Sequence, residues 1–203
     1  MTSKLLGRLL KLRPVLIFLV ANTCLLMLAP GPAAAKQIFQ TQLVDIYYQN
    51  PIDLLEMEQR LNFLPGKDFS QSYAYIQDST QAVLSPRLAF KIDGLLAKVC
   101  QLLHRCPRSG QRLRIFLLKD GQQVQQRRLA LQAFHGEPSF FGYGSLEGFY
   151  ELRTRTIFLS LADFHEGILA HEMSHFVLCE SSPIRPPEDL SEDWASYVES
   201  RLN

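Results

Sequence analysis

The sequence predicts one α+β domain, a small mixed sheet with packed helices, and three observations carry that expectation. Apolar residues recur at helical spacing through residues 85–104. Runs rich in β-branched, aromatic and other apolar residues follow at 113–118, 148–152 and 156–161. Helical spacing then returns in a segment that contains His171-Glu172-Met173-Ser174-His175. Helices, then strands, then a closing pair of helices is the order of an α+β domain.

Taken in chain order, Lys4, Arg8, Lys11 and Arg13 precede an apolar run from Val15 to Leu28, and Ala33-Ala34-Ala35 stands before Lys36. That is the layout of a secretory signal peptide over residues 1–35, with an apolar run shorter than the roughly 20 residues that span a bilayer. The exported chain is then periplasmic or secreted, with no stable membrane insertion after cleavage. Its domain covers 36–203, expected as a helical part at 36–110 and a sheet and metal-site part at 111–203. Cleavage removes four of the 21 basic residues and none of the 20 acidic ones, leaving a net charge near −3. Such a balance implies no nucleic-acid partner.

Asn50-Pro51-Ile52-Asp53 has the form of a helix start, opening a helix to about Leu64 that Pro65-Gly66 ends. Leu88, Ile92, Leu95, Leu96, Val99 and Leu103 define a second helix that packs on the sheet. Residues 113–118 form a strand, Asp120-Gly121 a tight turn and residues 124–129 its expected partner strand. A second hairpin joins 148–152 to 156–161 around Arg153-Thr154-Arg155. Cys100, Cys106 and Cys179 remain in an oxidising compartment, with Cys100–Cys106 the preferred bridge and pairing of either with Cys179 the alternative. The aromatic and glycine-rich stretch from Phe134 to Gly144 fits a cleft lining or a turn over the core.

After the 156–161 strand, Ser160 or Asp163 is expected to cap a helix that runs to about Leu178. Two imidazoles four residues apart on one helix face can hold one metal ion, and the glutamate between them can serve as a base. Five His and eleven Glu in 203 residues make this arrangement a rare product of shuffling, about 0.007 occurrences. The helix is apolar nearly all round, so its polar trio needs partners. No histidine follows His175, which leaves a carboxylate or thiolate as third ligand. The segment 189–202 reads as a helix with Trp194, Val198 and Leu202 on one stripe and Glu192, Ala195, Ser196 and Glu199 opposite. Small residues at 195 and 196 permit close approach and bring Glu192 to the metal, with Glu199 left for an outer hydrogen bond. Glu180, Glu188, Asp193 and Cys179 are the weaker candidates, and His135 and His165 are expected as ordinary histidines.

His171-Glu172-x-x-His175 followed by Ser191-Glu192-Asp193-Trp194-Ala195-Ser196-Tyr197-Val198-Glu199 resembles the gluzincin zinc metallopeptidases, the thermolysin-like and minimal-gluzincin group, over residues 113–200. The resemblance implies a zincin-like fold, Zn2+ held by His171, His175 and Glu192, and Glu172 as general base. It also implies a peptide or protein substrate laid along the edge strand of the 147–161 hairpin. The expected activity is hydrolysis of peptide bonds by zinc-activated water. The chain ends at Asn203, without the helical subdomain that carries an oxyanion-stabilising His or Tyr in larger relatives. Tyr197 and Tyr143 could supply that donor, and the role stays unassigned. The alternative is a non-catalytic zincin-like module that binds an envelope or extracellular protein.

Overall fold

The computed structural model describes residues 37–66, 86–108, 110–135 and 147–202. The expected leader at 1–35 and Tyr143, with nearly all of its glycine-rich stretch, lie outside the described residues. Among the described residues the chain is α+β, with a five-stranded mixed sheet and five helices. The elements are β1 (Gln37–Gln40), β2 (Val44–Tyr48), α1 (Pro51–Arg60), α2 (Pro86–Leu103), β3 (Leu113–Leu118), α3 (Gly121–His135), β4 (Gly148–Glu151), β5 (Thr156–Ser160), α4 (Glu166–Ser181) and α5 (Glu188–Ser200). Strand order is β1-β2-β3-β5-β4. The inner strands β2, β3 and β5 run parallel, and β1 and β4 are antiparallel edges.

Pleating sorts the side chains onto two faces. Leu113, Ile115, Leu117, Ile157, Leu159 and Tyr150 meet α2 and α4 in the main core. Phe149 and Phe158 turn to the other face, where Val124 of α3 covers them. Across that second face runs a row of rings in register: Tyr47 on Phe116 at 4.4 Å, Phe116 on Phe158 at 5.4 Å and Phe158 on Phe149 at 5.0 Å between centroids. Aromatic cross-strand pairs of this kind hold register as well as area.

Three sequence expectations are corrected. No partner strand follows β3: residues 124–129 lie inside α3, so the expected hairpin there is a helix. Asp120 caps it, its carboxylate accepting from the Gln123 N–H at 2.9 Å, and the Gln, Arg, Leu and Ala residues that follow are good helix formers. The run 124–129 has only Val124 buried, so the alternation that a half-buried strand needs is missing. Secondly, two strands precede the helices within the part expected to be helical. Val44, Ile46 and Tyr48 point inward in strict alternation, a short signal that lies next to the Asn50 helix start. Thirdly, α1 stops at Arg60, short of Leu64, because Leu61 leaves the helix to bury its side chain fully.

Three local expectations hold. Asn50 N-caps α1 with Pro51 first, and the Asp53 carboxylate accepts from the Asn50 N–H at 2.9 Å. The β4–β5 hairpin forms, with Arg155 at φ 53° in its turn. Cys100 and Cys106 are disulfide-bonded at the end of α2, and Cys179 is free. Among the described residues no helix is long and apolar enough to cross a membrane.

Several contacts fix where α4 begins. Leu161 and Ala162 continue along β3 by donating to the carbonyls of Leu118 and Lys119, and Arg60 donates to the Ala162 carbonyl at 2.7 Å. Ser160 and Asp163 bond each other at 2.7 Å instead of capping α4. The cap is His165, whose Nδ1 accepts from the Ile168 N–H at 3.4 Å. Gly148 lets β4 lie close by: a Cβ there would stand 3.2 Å from the Phe158 carbonyl and 3.6 Å from Ile168. Leu169, Met173 and Val177 are wholly buried, each contributing roughly 1.5–3 kcal/mol of hydrophobic stabilisation.

Candidate metal centre

His171 and His175 stand one turn apart on α4, their ring centroids separated by 5.1 Å. α5 packs against the same helix through Ser191, Ala195 and Val198, all buried. Ala195 has no side chain beyond Cβ to hold the helices apart, as expected, whereas Ser196 is exposed and plays no part in the approach. Trp194 also lies outward at 41% exposure, so the buried stripe of α5 differs from the expected one.

Close approach brings the Glu192 carboxylate across both rings. One oxygen lies 3.3 Å from Nε2 of His171 and the other 3.5 Å from Nε2 of His175. All three donor atoms fall within 4.8 Å of one another, so the group can hold a metal ion. Bonds of ~2.1 Å to a tetrahedral ion set its ligand atoms ~3.4 Å apart, close to the two nitrogen–oxygen separations. The three side chains keep 13–29% of their surface exposed, so the centre is open to solvent on one side.

The other ring nitrogens are tied as well. Nδ1 of His171 lies 3.2 Å from the Glu199 carboxylate, and Nδ1 of His175 lies 3.0 Å from the Ser191 hydroxyl. A carboxylate only accepts, so the Glu199 contact puts the proton of a neutral His171 ring on Nδ1 and turns the Nε2 lone pair to Glu192. A lone pair facing a carboxylate is repelled unless a cation lies between them. For His175, burial, the neighbouring His171 and Arg185 lower the pKa to about 3, which leaves the ring neutral and able to ligate at neutral pH. Ligand chemistry and outer hydrogen bonds therefore fit a cation at this position.

Glu172, between the two histidines, is 4% exposed. Burial first, and the Glu192 charge second, push its carboxyl up to about 8, against the opposing pull of the Tyr150 backbone N–H and of Arg128. The adjoining cavity, about 30 Å³, has room for a water or two and is lined by Glu172, both histidines, Glu192, Tyr150 and Arg185 among others. A buried carboxyl beside a small wet space and a cation site can move a proton to or from water held there.

Thus the expected His171, Glu172, His175 and Glu192 are brought together, and Glu199 makes the outer contact foreseen for it. Glu180 instead pairs with Arg155 at 2.9 Å. Glu188 and Cys179 line the cavity without joining the three-residue group, and burial raises the Cys179 thiol. Tyr197 is not at the cavity: its ring lies against Trp194 and under Arg201 on the exposed side of α5. His104 ends α2 and His165 caps α4, roles apart from the centre. Sequence reasoning missed Ser191, Tyr150 and Arg185. Ser191 had a readable signal, one residue before Glu192 on the same helix; the other two arrive through tertiary packing.

Comparison of the chain with family models, with curated proteins and with solved structures returned no match.

Proposed function

We propose that this chain is an exported zinc-dependent peptidase of gluzincin type with a zincin-like fold, in which His171, His175 and Glu192 hold Zn2+ and Glu172 is the general base. The observation that carries the reading is the Glu192 carboxylate spanning both Nε2 atoms beside a buried Glu172. Two imidazoles and one carboxylate suit zinc and leave a fourth position for water. When bound, the ion would supply Lewis acidity toward that water and the substrate carbonyl. Its charge would also counter the burial and the Glu192 repulsion that raise Glu172, returning that carboxylate to a form able to accept a proton. Glu172 takes the proton from water as it attacks and passes it to the departing nitrogen. Glu199 and Ser191 hold the two rings in the ligating orientation. β4 is a sheet edge next to Glu172, so an extended peptide could pair with it by strand addition. Export is supported by the leader-like residues 1–35 and the Cys100–Cys106 disulfide.

The test is a peptide-library digest with metal analysis. Zinc-loaded protein is expected to cleave, to stop with chelator and to recover with zinc. Glu172→Gln is expected to keep one zinc per chain and lose cleavage. A Glu172→Gln protein as active as the parent contradicts the mechanism, and a parent that holds zinc but cleaves nothing supports the non-catalytic binding module instead.

A further inference from the structure

The helix that supplies Glu192 has a second face. Ser191, Ala195 and Val198 of α5 are buried, and Glu192 and Glu199 turn to the metal centre. At 100° per residue, Leu190, Trp194, Tyr197 and Arg201 fall within about 60° of arc on the side opposite those two glutamates. Leu190, Trp194 and Tyr197 keep 46%, 41% and 38% of their surface exposed. Trp194 meets Tyr197 edge-on at 5.9 Å between centroids, and the Arg201 guanidinium lies 5.2 Å from the Tyr197 ring centre. The contacts order these side chains into one aromatic surface that faces solvent. Trp, Tyr and Arg are the side chains that concentrate binding energy at protein interfaces.

Charge indicates the occupant. Asp189 and Asp193 stand exposed beside the N-terminal half of the stripe, and Arg201 ends it. A second copy of α5 laid antiparallel on the first brings each Arg201 level with the other's Leu190, within about one helical turn of both carboxylates. The same arrangement opposes the two helix dipoles. Its register follows from the positions alone. Trp194 opposite Tyr197 and Leu190 opposite Arg201 share one midpoint, between residues 195 and 196, so one two-fold axis there makes each pairing twice. A membrane surface would suit Trp, Tyr and Arg, but the two carboxylates on the same edge oppose an anionic bilayer.

We propose that the exposed stripe of Leu190, Trp194, Tyr197 and Arg201 is the interface of a homodimer in which two copies of α5 pack antiparallel about a two-fold axis. Each metal centre lies on the far side of its helix from the contact, so association leaves both open. The assignment goes beyond the peptidase reading and does not depend on it. A contact made by one helix of each copy falls below the roughly 1,200 Å² of a standard interface, so the expected Kd is on the order of 100 µM.

Trp194 is the only tryptophan in the chain, which makes it a reporter at the centre of the contact. Sedimentation equilibrium and tryptophan emission are measured on the protein recovered after export, from about 1 µM to about 1 mM. The mass is expected to rise from monomer to dimer over this range, and the emission to shift to the blue with the same midpoint. Arg201→Glu and Asp193→Arg each set like charges against one another in their own homodimers and are expected to weaken association by about tenfold. Mixed in equal amounts, the two variants restore opposite charges at both ends of the contact and are expected to associate as tightly as the parent. Circular dichroism is expected to be unchanged in both, since the two side chains are exposed. A parent that stays monomeric throughout, a dimer in which the Trp194 emission does not move, or variants that fail to recover on mixing overturns the assignment. So does a blue shift on anionic vesicles from protein that is monomeric in solution, which gives the stripe to a membrane surface.

Discussion

Two carboxylates lie buried in helices on the same face of the sheet, and they are treated in opposite ways. Asp93 of α2 has no exposed surface and is filled with donors: the Thr41 hydroxyl at 2.6 Å, the Gln42 N–H at 3.0 Å and the Leu43 N–H at 3.2 Å. It ties α2 to the β1–β2 turn. Glu172 of α4 is almost as deep, yet it has one backbone donor, two carboxylates nearby and a small cavity beside it. A carboxylate surrounded by fixed donors stabilises the fold, whereas one left under-supplied beside a cavity is raised in pKa and can trade protons. The contrast separates a carboxylate tied down by donors from one left short of them beside a cavity.

The largest expected effect falls on Glu172. Glu172→Gln should lower peptide hydrolysis by about 10³-fold, the scale of a lost general base, while chemical denaturation of chelated protein shows stability increased above pH 8, where the variant lacks a buried charge. Titration sharpens the point. With its folded pKa raised to about 8, Glu172 contributes stability in chelated protein that is fully present below its ordinary value of 4.5 and is lost as pH rises through 8. His175 works in the other sense: its folded pKa, lowered to about 3, gives stability present above 6.5 that is lost as pH falls towards 3. Denaturation midpoints of chelated protein from pH 4 to 9 should therefore fall at both ends, and Glu172→Gln should remove the alkaline decline only.

Asp93→Ala should do the reverse of Glu172→Gln. Three donors around the β1–β2 turn lose their acceptor, costing about 3 kcal/mol in urea denaturation, with turnover per folded molecule unchanged. A loss of activity without a loss of stability would erase the distinction between the two acids.

Smaller effects belong to the outer contacts of the rings. Glu199→Gln and Ser191→Ala should each weaken zinc by about 10- to 100-fold in competition with a chromophoric chelator. Least is expected from Asp45, which burial raises but which the hydrogen bond and charge of Arg112 hold below the usual carboxylate range. Their pair, 2.6 Å apart, is partly exposed, so Asp45→Asn should cost under about 1 kcal/mol. That contribution is present above the ordinary value of 3.8 and disappears as pH falls below it, an acid-limb difference measurable by thermal denaturation.

What could be read from the chain alone divides along similar lines. His171, Glu172, His175 and Glu192 were legible because their spacing sits on two long helices, where a period of 3.6 converts sequence distance into direction. The Cys100–Cys106 bridge and the Asn50-Pro51 helix start were legible because both are local. Residues 124–129 were misread as a strand because Asp120-Gly121 followed by Val124 imitates a hairpin, whereas the helix-forming residues that follow and the Phe149 and Phe158 face that α3 covers decide for a helix. β1 and β2 escaped notice since strands of four and five residues leave little periodic signal. Tyr150 and Arg185 reach the cavity by tertiary packing, with no local spacing to announce them.

Crystals of the protein grown with zinc and measured at the zinc absorption edge give the most direct test of the centre. One anomalous peak is expected per chain, within about 2.3 Å of Nε2 of His171, Nε2 of His175 and a Glu192 carboxylate oxygen. A peak bonded to Cys179, or no stoichiometric peak near these three side chains, would contradict the account.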